Sequence, residues 1–166
     1  MEEGPLVGKV SFEVAPDWSE IDRVRQRCAD FLASHLSDAD TTAALTMVAC
    51  ELVENATKYG AFEREARSTV EITVGLQEVV VEVRNPVAST DDAHLARLDR
   101  TIQWIRGYQD PFQVYLERLR EVAGQKLTSS ESGLGLVRIA YEGQAILDFY
   151  VDEKNTLAVS AIYRLP

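Results

Sequence analysis

Two residues, Leu76 and Gln77, separate a run of β-formers at Thr69–Gly75 from another at Glu78–Arg84. So short a link cannot carry a crossover, so the two runs are predicted to form an antiparallel hairpin. A second hairpin is predicted at Ala145–Val151 and Leu157–Arg164, joined by Asp152-Glu153-Lys154-Asn155. A first strand is expected over Val7–Val14, where Val10, Phe12 and Val14 alternate. This order does not suit a doubly wound parallel sheet, which needs a crossover helix between successive strands. It requires a mostly antiparallel sheet.

Helical spacing fills most of what remains. Ile21, Val24, Cys28, Phe31, Leu32 and Leu36 predict a helix over Trp18–Leu36, with Asp17 and Glu20 as its cap and N3 pair. Leu45, Val48, Leu52 and Ala56 predict another over Thr41–Tyr59, capped from Ser37-Asp38-Ala39-Asp40. Gly60 is expected to end it in a left-handed conformation. Two helices are expected at Asp91–Arg106, capped by Asp91-Asp92, and at Pro111–Ala123. Ser132-Gly133-Leu134-Gly135-Leu136 then opens a short helix ending near Tyr141. The fold class is an α+β two-layer sandwich, with helices on one face of the sheet. At 166 residues, 46% of them hydrophobic, the chain suits a single domain over 1–166 with a helical insertion at about 88–131.

The charge balance excludes some partners. Asp and Glu number 27 against 17 Lys and Arg, a formal net charge of −10. Such a surface repels a nucleic-acid backbone, but local amides and one lysine can still hold a small phosphate ligand. No stretch approaches the ~18 apolar residues of a membrane span, so a cytoplasmic location away from membranes is expected. Cys28 and Cys50 read as small core residues, and no Cys or His cluster suggests a metal.

Chemistry concentrates in Glu51-Leu52-Val53-Glu54-Asn55-Ala56-Thr57-Lys58. Glu51 and Asn55 are one helical turn apart and share a face. Asn55 offers an oxygen of the type Mg²⁺ accepts, and Glu51 offers a base. Lys58, a turn further on, can reach a phosphate as a point charge. Glu54 is expected to face away into solvent. Downstream, Gly133 and Gly135 allow backbone to approach a phosphate at a helix start, with Arg138 just inside it as a surface residue or a phosphate contact. His35 and His94 stand alone and read as structural. Trp104, Tyr108, Phe112 and Tyr115 read as packing for the insertion's two helices, or alternatively as a partner surface.

In this order, these segments resemble the GHKL superfamily of ATP-binding proteins. Glu51-x-x-x-Asn55-Ala56 resembles its N-box, Gly133-Leu134-Gly135-Leu136 its second glycine box, and the insertion its ATP lid. The resemblance spans about Val7 to Arg164. It implies a histidine-kinase-like ATPase fold with Glu51 as general base and Asn55 as Mg²⁺ ligand. It also implies ATP held by Asn55, Lys58, Asn85, Ser132, Gly133, Leu134, Gly135 and Leu136. The pattern departs at Val83-Arg84-Asn85-Pro86-Val87, where most members carry Asp-x-Gly-x-Gly and use the Asp to bind adenine. Asn85 keeps an acceptor oxygen but loses the charge. Within the superfamily the chain is similar to the anti-sigma-factor serine kinases, and most of all to the SiaB family. That implies a serine/threonine protein kinase acting on a small regulatory phosphoprotein, with a homodimer expected. The alternative is a non-catalytic module that sequesters a sigma factor or STAS-type partner.

Overall fold

The structure is a computed structural model that describes residues 5–63, 66–88, 92–107, 110–125 and 134–166; for residues 92, 111, 114 and 122–125 it describes the backbone alone. Asp91, Tyr108, Ser132 and Gly133, all singled out in the sequence, lie outside the described residues.

The strands are β1 (Leu6–Val14), β2 (Ser68–Gly75), β3 (Glu78–Pro86), β4 (Ile146–Val151) and β5 (Thr156–Arg164). They form one antiparallel sheet in the order β1-β2-β3-β5-β4. Both expected hairpins are present. The helices are α1 (Ile21–His35), α2 (Ala39–Tyr59), α3 (Asp92–Arg106), α4 (Pro111–Gln125) and α5 (Leu134–Tyr141), so the α+β class holds.

Alternation along the central strands sets the layers. Val70, Ile72 and Val74 of β2 stand opposite Val83, Val81 and Val79 of β3, and all six are buried on the face beneath the helices. Leu32 of α1, Leu45, Val48 and Val53 of α2, and Ile139 of α5 fill the space above with no exposed surface. Each such side chain contributes about 1.5–3 kcal/mol relative to exposure. The opposite face carries Glu71, Glu82, Arg84 and Lys9, joined in ion pairs of 2.6 to 3.9 Å. Such exposed pairs add little stability and keep that face polar.

Local chemistry corrects several expectations. The first helix begins as a 3-10 turn at Trp18–Glu20, in which the Asp17 carboxylate accepts from Ser19 N at 3.0 Å. Glu20 does not complete a capping box; it pairs with Arg23 at 2.6 Å. Gly60 is extended, at φ −68° and ψ 151°, not left-handed. Its glycine is required by space: a Cβ there would sit 2.6 Å from the carbonyl oxygen of Ala56. Left-handed backbone occurs instead at Asn155, φ 58°, in the turn before β5. There the Asp152 carboxylate accepts from the amides of Lys154 and Thr156, at 2.8 and 3.0 Å.

The strand expected over Glu78–Arg84 continues through Asn85 and Pro86, the last residues of β3, paired with Leu157 and Thr156 of β5. A proline is tolerated there because the ladder ends at it. Because Asn85 falls in phase with Val79, Val81 and Val83, its side chain is aimed at the helix layer.

Candidate functional site

Between α2, the inner face of β3 and β5, and the helices α3, α4 and α5 lies a cavity of about 690 Å³. That volume is in the range of small-molecule sites. Leu45, Val48, Leu52 and Ala56 bury one side of α2 in the core. The adjacent side turns Glu51, Glu54, Asn55 and Lys58 to the cavity. Glu54 therefore does not face away. Three residues along a helix is about 300°, close enough to share a face.

From α5, Leu134, Gly135, Leu136 and Arg138 form the opposing wall. Gly135 has a specific steric reason to be small: a Cβ on it would lie 2.5 Å from Oε2 of Glu51. The absence of that carbon lets the two helices bring backbone and carboxylate together. Arg138 is neither a bystander nor pointed at an empty volume. Its Nη1 donates to Oε1 of Glu51 at 2.8 Å, while Nε and Nη2 donate to Glu142 at 3.2 and 3.1 Å.

The Glu51 side chain keeps only 16% of its surface exposed. Burial raises its pKa above the ordinary carboxylate value, as do the neighbouring charges of Glu54 and Glu142; Arg138 pulls the other way. The net direction is upward, the direction that suits a general base.

Asn85 lines the same cavity from β3 and is 4% exposed. Its Nδ2 donates to the carbonyl of Pro86 at 3.0 Å. This anchors the amide and leaves Oδ1 as the atom able to accept a hydrogen bond from a ligand. Lys58 Nζ is buried and has no hydrogen-bond partner among the described residues; it rests 4.6 Å from the centre of the Tyr59 ring.

The insertion supplies the remaining wall. Leu98, Ile102 and Ile105 of α3 are buried in the core, so this helix is docked on the domain. His94, Arg97, Leu98 and Thr101 of α3 line the cavity, and Arg118 reaches it from α4. His94 stacks on Tyr59 at 4.3 Å. Trp104 lies under the guanidinium of Arg118 at 4.7 Å, and Phe112 and Tyr115 meet Tyr141 of α5 at 5.3 and 5.2 Å. These aromatics mainly pack the insertion onto the fold, with Phe112 still 43% exposed. Trp18, 56% exposed, stands at the cavity's edge.

The site thus unites Glu51, Asn55, Lys58, Asn85, Leu134, Gly135 and Leu136, all expected from the sequence. It adds Trp18, Glu54, His94, Arg97, Arg118 and Arg138 in roles the sequence did not indicate. A signal existed for three residues of α3: His94, Arg97 and Thr101 recur at helical spacing as a polar stripe beside the apolar one. Arg118 carries no such local mark. Among the described residues, no three His, Cys, Asp or Glu side chains gather as a metal cluster, and no helix is long and apolar enough to cross a membrane.

No protein-family model matches the chain, and no curated protein does. Among solved structures, a chain in the crystal structure of the SiaB–SiaC complex from Pseudomonas aeruginosa aligns over 93% of this chain and 88% of its own length. The TM-score is 0.70 and the sequence identity 21%, a likeness of fold. The five-stranded antiparallel sheet with its helices is thus an architecture already seen in a component of that complex.

Proposed function

We propose that this chain is a GHKL-type ATP-binding regulator in a cytoplasmic partner-switching pathway, and that it phosphorylates a small partner protein on serine or threonine. The observation that carries the reading is one cavity holding Glu51 and Asn55 of α2 against the glycine-opened helix α5. The SiaB–SiaC neighbour, a complex of two proteins, supports a protein partner.

The residues present fit a magnesium–nucleotide ligand. Lys58 has a buried amine without a hydrogen-bond partner among the described residues, Asn55 supplies an oxygen, and Asn85 presents an anchored acceptor at the far wall. Bound Mg-ATP would supply the phosphoryl group and a cation to offset its charge. Asn55 would hold that cation together with phosphate oxygens. Asn85 Oδ1 would accept from the base amino group. Glu51 would take the proton from the partner's hydroxyl, and its raised pKa makes it a stronger proton acceptor than an exposed glutamate. Arg138 fixes the carboxylate's orientation through Oε1, so that Oε2 would receive the proton.

That same pairing favours a second reading, a non-catalytic module that sequesters its partner. In it, Glu51 and Arg138 form a structural tie between α2 and α5. Titration calorimetry with ATP, ADP and GTP, with and without Mg²⁺, separates the two. Mg²⁺-dependent ATP binding is expected, with Glu51→Ala retaining it and losing transfer to the partner. Absence of binding at millimolar nucleotide overturns the kinase reading and leaves sequestration. Full transfer by Glu51→Ala removes Glu51 as the base.

A further inference from the structure

We infer that β4 is the contact edge between two copies of this chain, pairing antiparallel with β4 of the second copy across a two-fold axis at Phe149. The inference does not draw on the nucleotide reading and goes beyond it.

The sheet has two edges, β1 and β4. An edge strand offers unpaired main-chain groups, and proteins usually guard them. β1 is guarded. Its pairing slips between Leu6 and Gly8, Lys9 puts a charge on it, and Arg23 Nη2 donates to the Glu13 carbonyl at 2.8 Å. β4 has no proline, lysine or register shift, and its Ile146, Tyr150 and Val151 are 44%, 52% and 38% exposed.

The ladder fixes which main-chain atoms face outward. The Asp152 amide donates to the Thr156 carbonyl at 3.0 Å, in line with the β4–β5 register. Bonded positions alternate along an antiparallel pair. Ile146, Asp148 and Tyr150 therefore bond to β5, while Leu147, Phe149 and Val151 turn N–H and C=O to the open edge. The Phe149 amide agrees: it donates to the Asp148 carboxylate at 2.9 Å.

The occupant that fits this edge is the same strand. An axis at Phe149 sets its ring beside Phe149 of the second copy, and Leu147 beside Val151 of the second copy. Leu147 and Phe149 already lie on the helix side, against the core. On the outer side Asp148 meets Tyr150 of the second copy. Its carboxylate can release the Phe149 amide to the new ladder and accept from the tyrosine hydroxyl instead. Moving the axis to Asp148 would set two carboxylates opposite each other, so charge selects the Phe149 register. The two five-stranded sheets become continuous, with both helix layers and both cavities on one face. A strand of six residues covers less than the ~1,200–2,000 Å² of a standard interface, so the dimer is weak and concentration-dependent.

Sedimentation velocity on the full chain, without nucleotide, tests this over roughly 5–500 μM. A reversible monomer–dimer equilibrium is expected, with Kd about 10–100 μM. Val151→Pro removes an N–H that faces the open edge and spares the β5 ladder. Val151→Lys sets a charge against Leu147 of the second copy. Each should weaken the dimer about tenfold or more. Register is read by cross-linking. A mixture of Asp148→Cys and Tyr150→Cys chains, oxidised with copper phenanthroline, should give a disulfide-linked dimer, and neither variant alone should; the native Cys28 and Cys50 are buried. A chain that stays monomeric at the highest concentration overturns the inference. So does a dimer that both Val151 variants leave unchanged, or a mixture that cross-links no better than either variant alone. Should Val151→Pro unfold by circular dichroism, Val151→Lys, at an exposed side chain, carries the test.

Discussion

The guanidinium of Arg138 on α5 holds the carboxylate of Glu51 on α2 at 2.8 Å, across 87 residues of sequence. One carboxylate thereby receives opposed influences. Burial, Glu54 and Glu142 favour its neutral form; Arg138 favours its ionised form.

A pH dependence follows from that balance. A base acts in its ionised state, so transfer should rise with pH through a midpoint above the ordinary glutamate value of about 4.3. Glu54→Gln removes a like charge and should lower the midpoint; Arg138→Gln removes the opposite charge and should raise it. Carbon-13 titration of the Glu51 carboxyl checks both without a partner protein, and a midpoint unmoved by either variant contradicts the arrangement. Stability has a matching sign. A carboxyl whose folded pKa is raised disfavours folding once ionised, so Glu51→Gln should raise Tm at pH 7–8 by roughly 2–4 °C. The gain should fade as pH falls through the Glu51 midpoint.

Gly135→Ala tests the close approach of α5 to α2. The new Cβ would meet the far end of the flexible Glu51 side chain, not backbone. The carboxylate should swing away and the fold persist. Tm should change by less than about 3 °C, with transfer falling about 10- to 100-fold through misplacement of the base. A large loss of Tm measured by circular dichroism would show that the glycine serves backbone packing instead.

Asn85→Asp tests what the amide contributes at the end of β3. A carboxylate at this buried position would face the Pro86 carbonyl that the amide now donates to. The expected cost at pH 7 is about 2–3 kcal/mol by urea denaturation. The burial would raise the new aspartate's pKa. The deficit should therefore shrink as pH falls, because the protonated acid can donate to Pro86. A variant as stable as wild type at pH 7 contradicts the observed hydrogen bond.

Cys28 should be inert in the native chain. Its thiol is fully buried, and burial, with the nearby Cys50, pushes its pKa up to about 12. At pH 8 its thiolate fraction is about three orders of magnitude below that of an ordinary thiol. Ellman's reagent should react with Cys28 only after denaturation. The unfolded thiol ionises near 8.5 while the folded one keeps its proton, so this group should cost stability as pH rises above that value.

Much of this was legible in sequence wherever the signal was local. The two-residue link at Leu76-Gln77 dictated a hairpin, and the spacing of Glu51 and Asn55 put both on one helix face. Gly135 was legible as a small residue, but its steric reason, the Glu51 carboxylate, is distant in sequence. Arg118 escaped, and Arg138 was read as a surface residue or a phosphate contact and not as the partner of Glu51, because charge on a helix surface looks alike whether it meets solvent or a residue from a far segment. The second strand of the hairpin was expected to end at Arg84 because proline usually breaks a ladder; it runs on through Asn85 to Pro86, the ladder's final rung, against Thr156. Gly60 was read through backbone freedom when crowding by Ala56 was the constraint.

The strand order has a consequence for how the chain comes together. The central strand β3 ends at Pro86, and its sheet neighbour β5 begins at Thr156. Everything that closes the cavity from above lies in the intervening excursion. Joining β3 to β5 must therefore close a long loop, the kind of contact that forms late in folding because its entropic cost comes before its reward. During synthesis, β1, α1, α2, β2 and β3 emerge first and can assemble around their own hairpin and helix pair. At that stage Glu51 is present without Gly135 or Arg138. A nascent chain that ends at β3 would carry Glu51 but none of the α5 wall, so the site comes into being only once α5 has emerged.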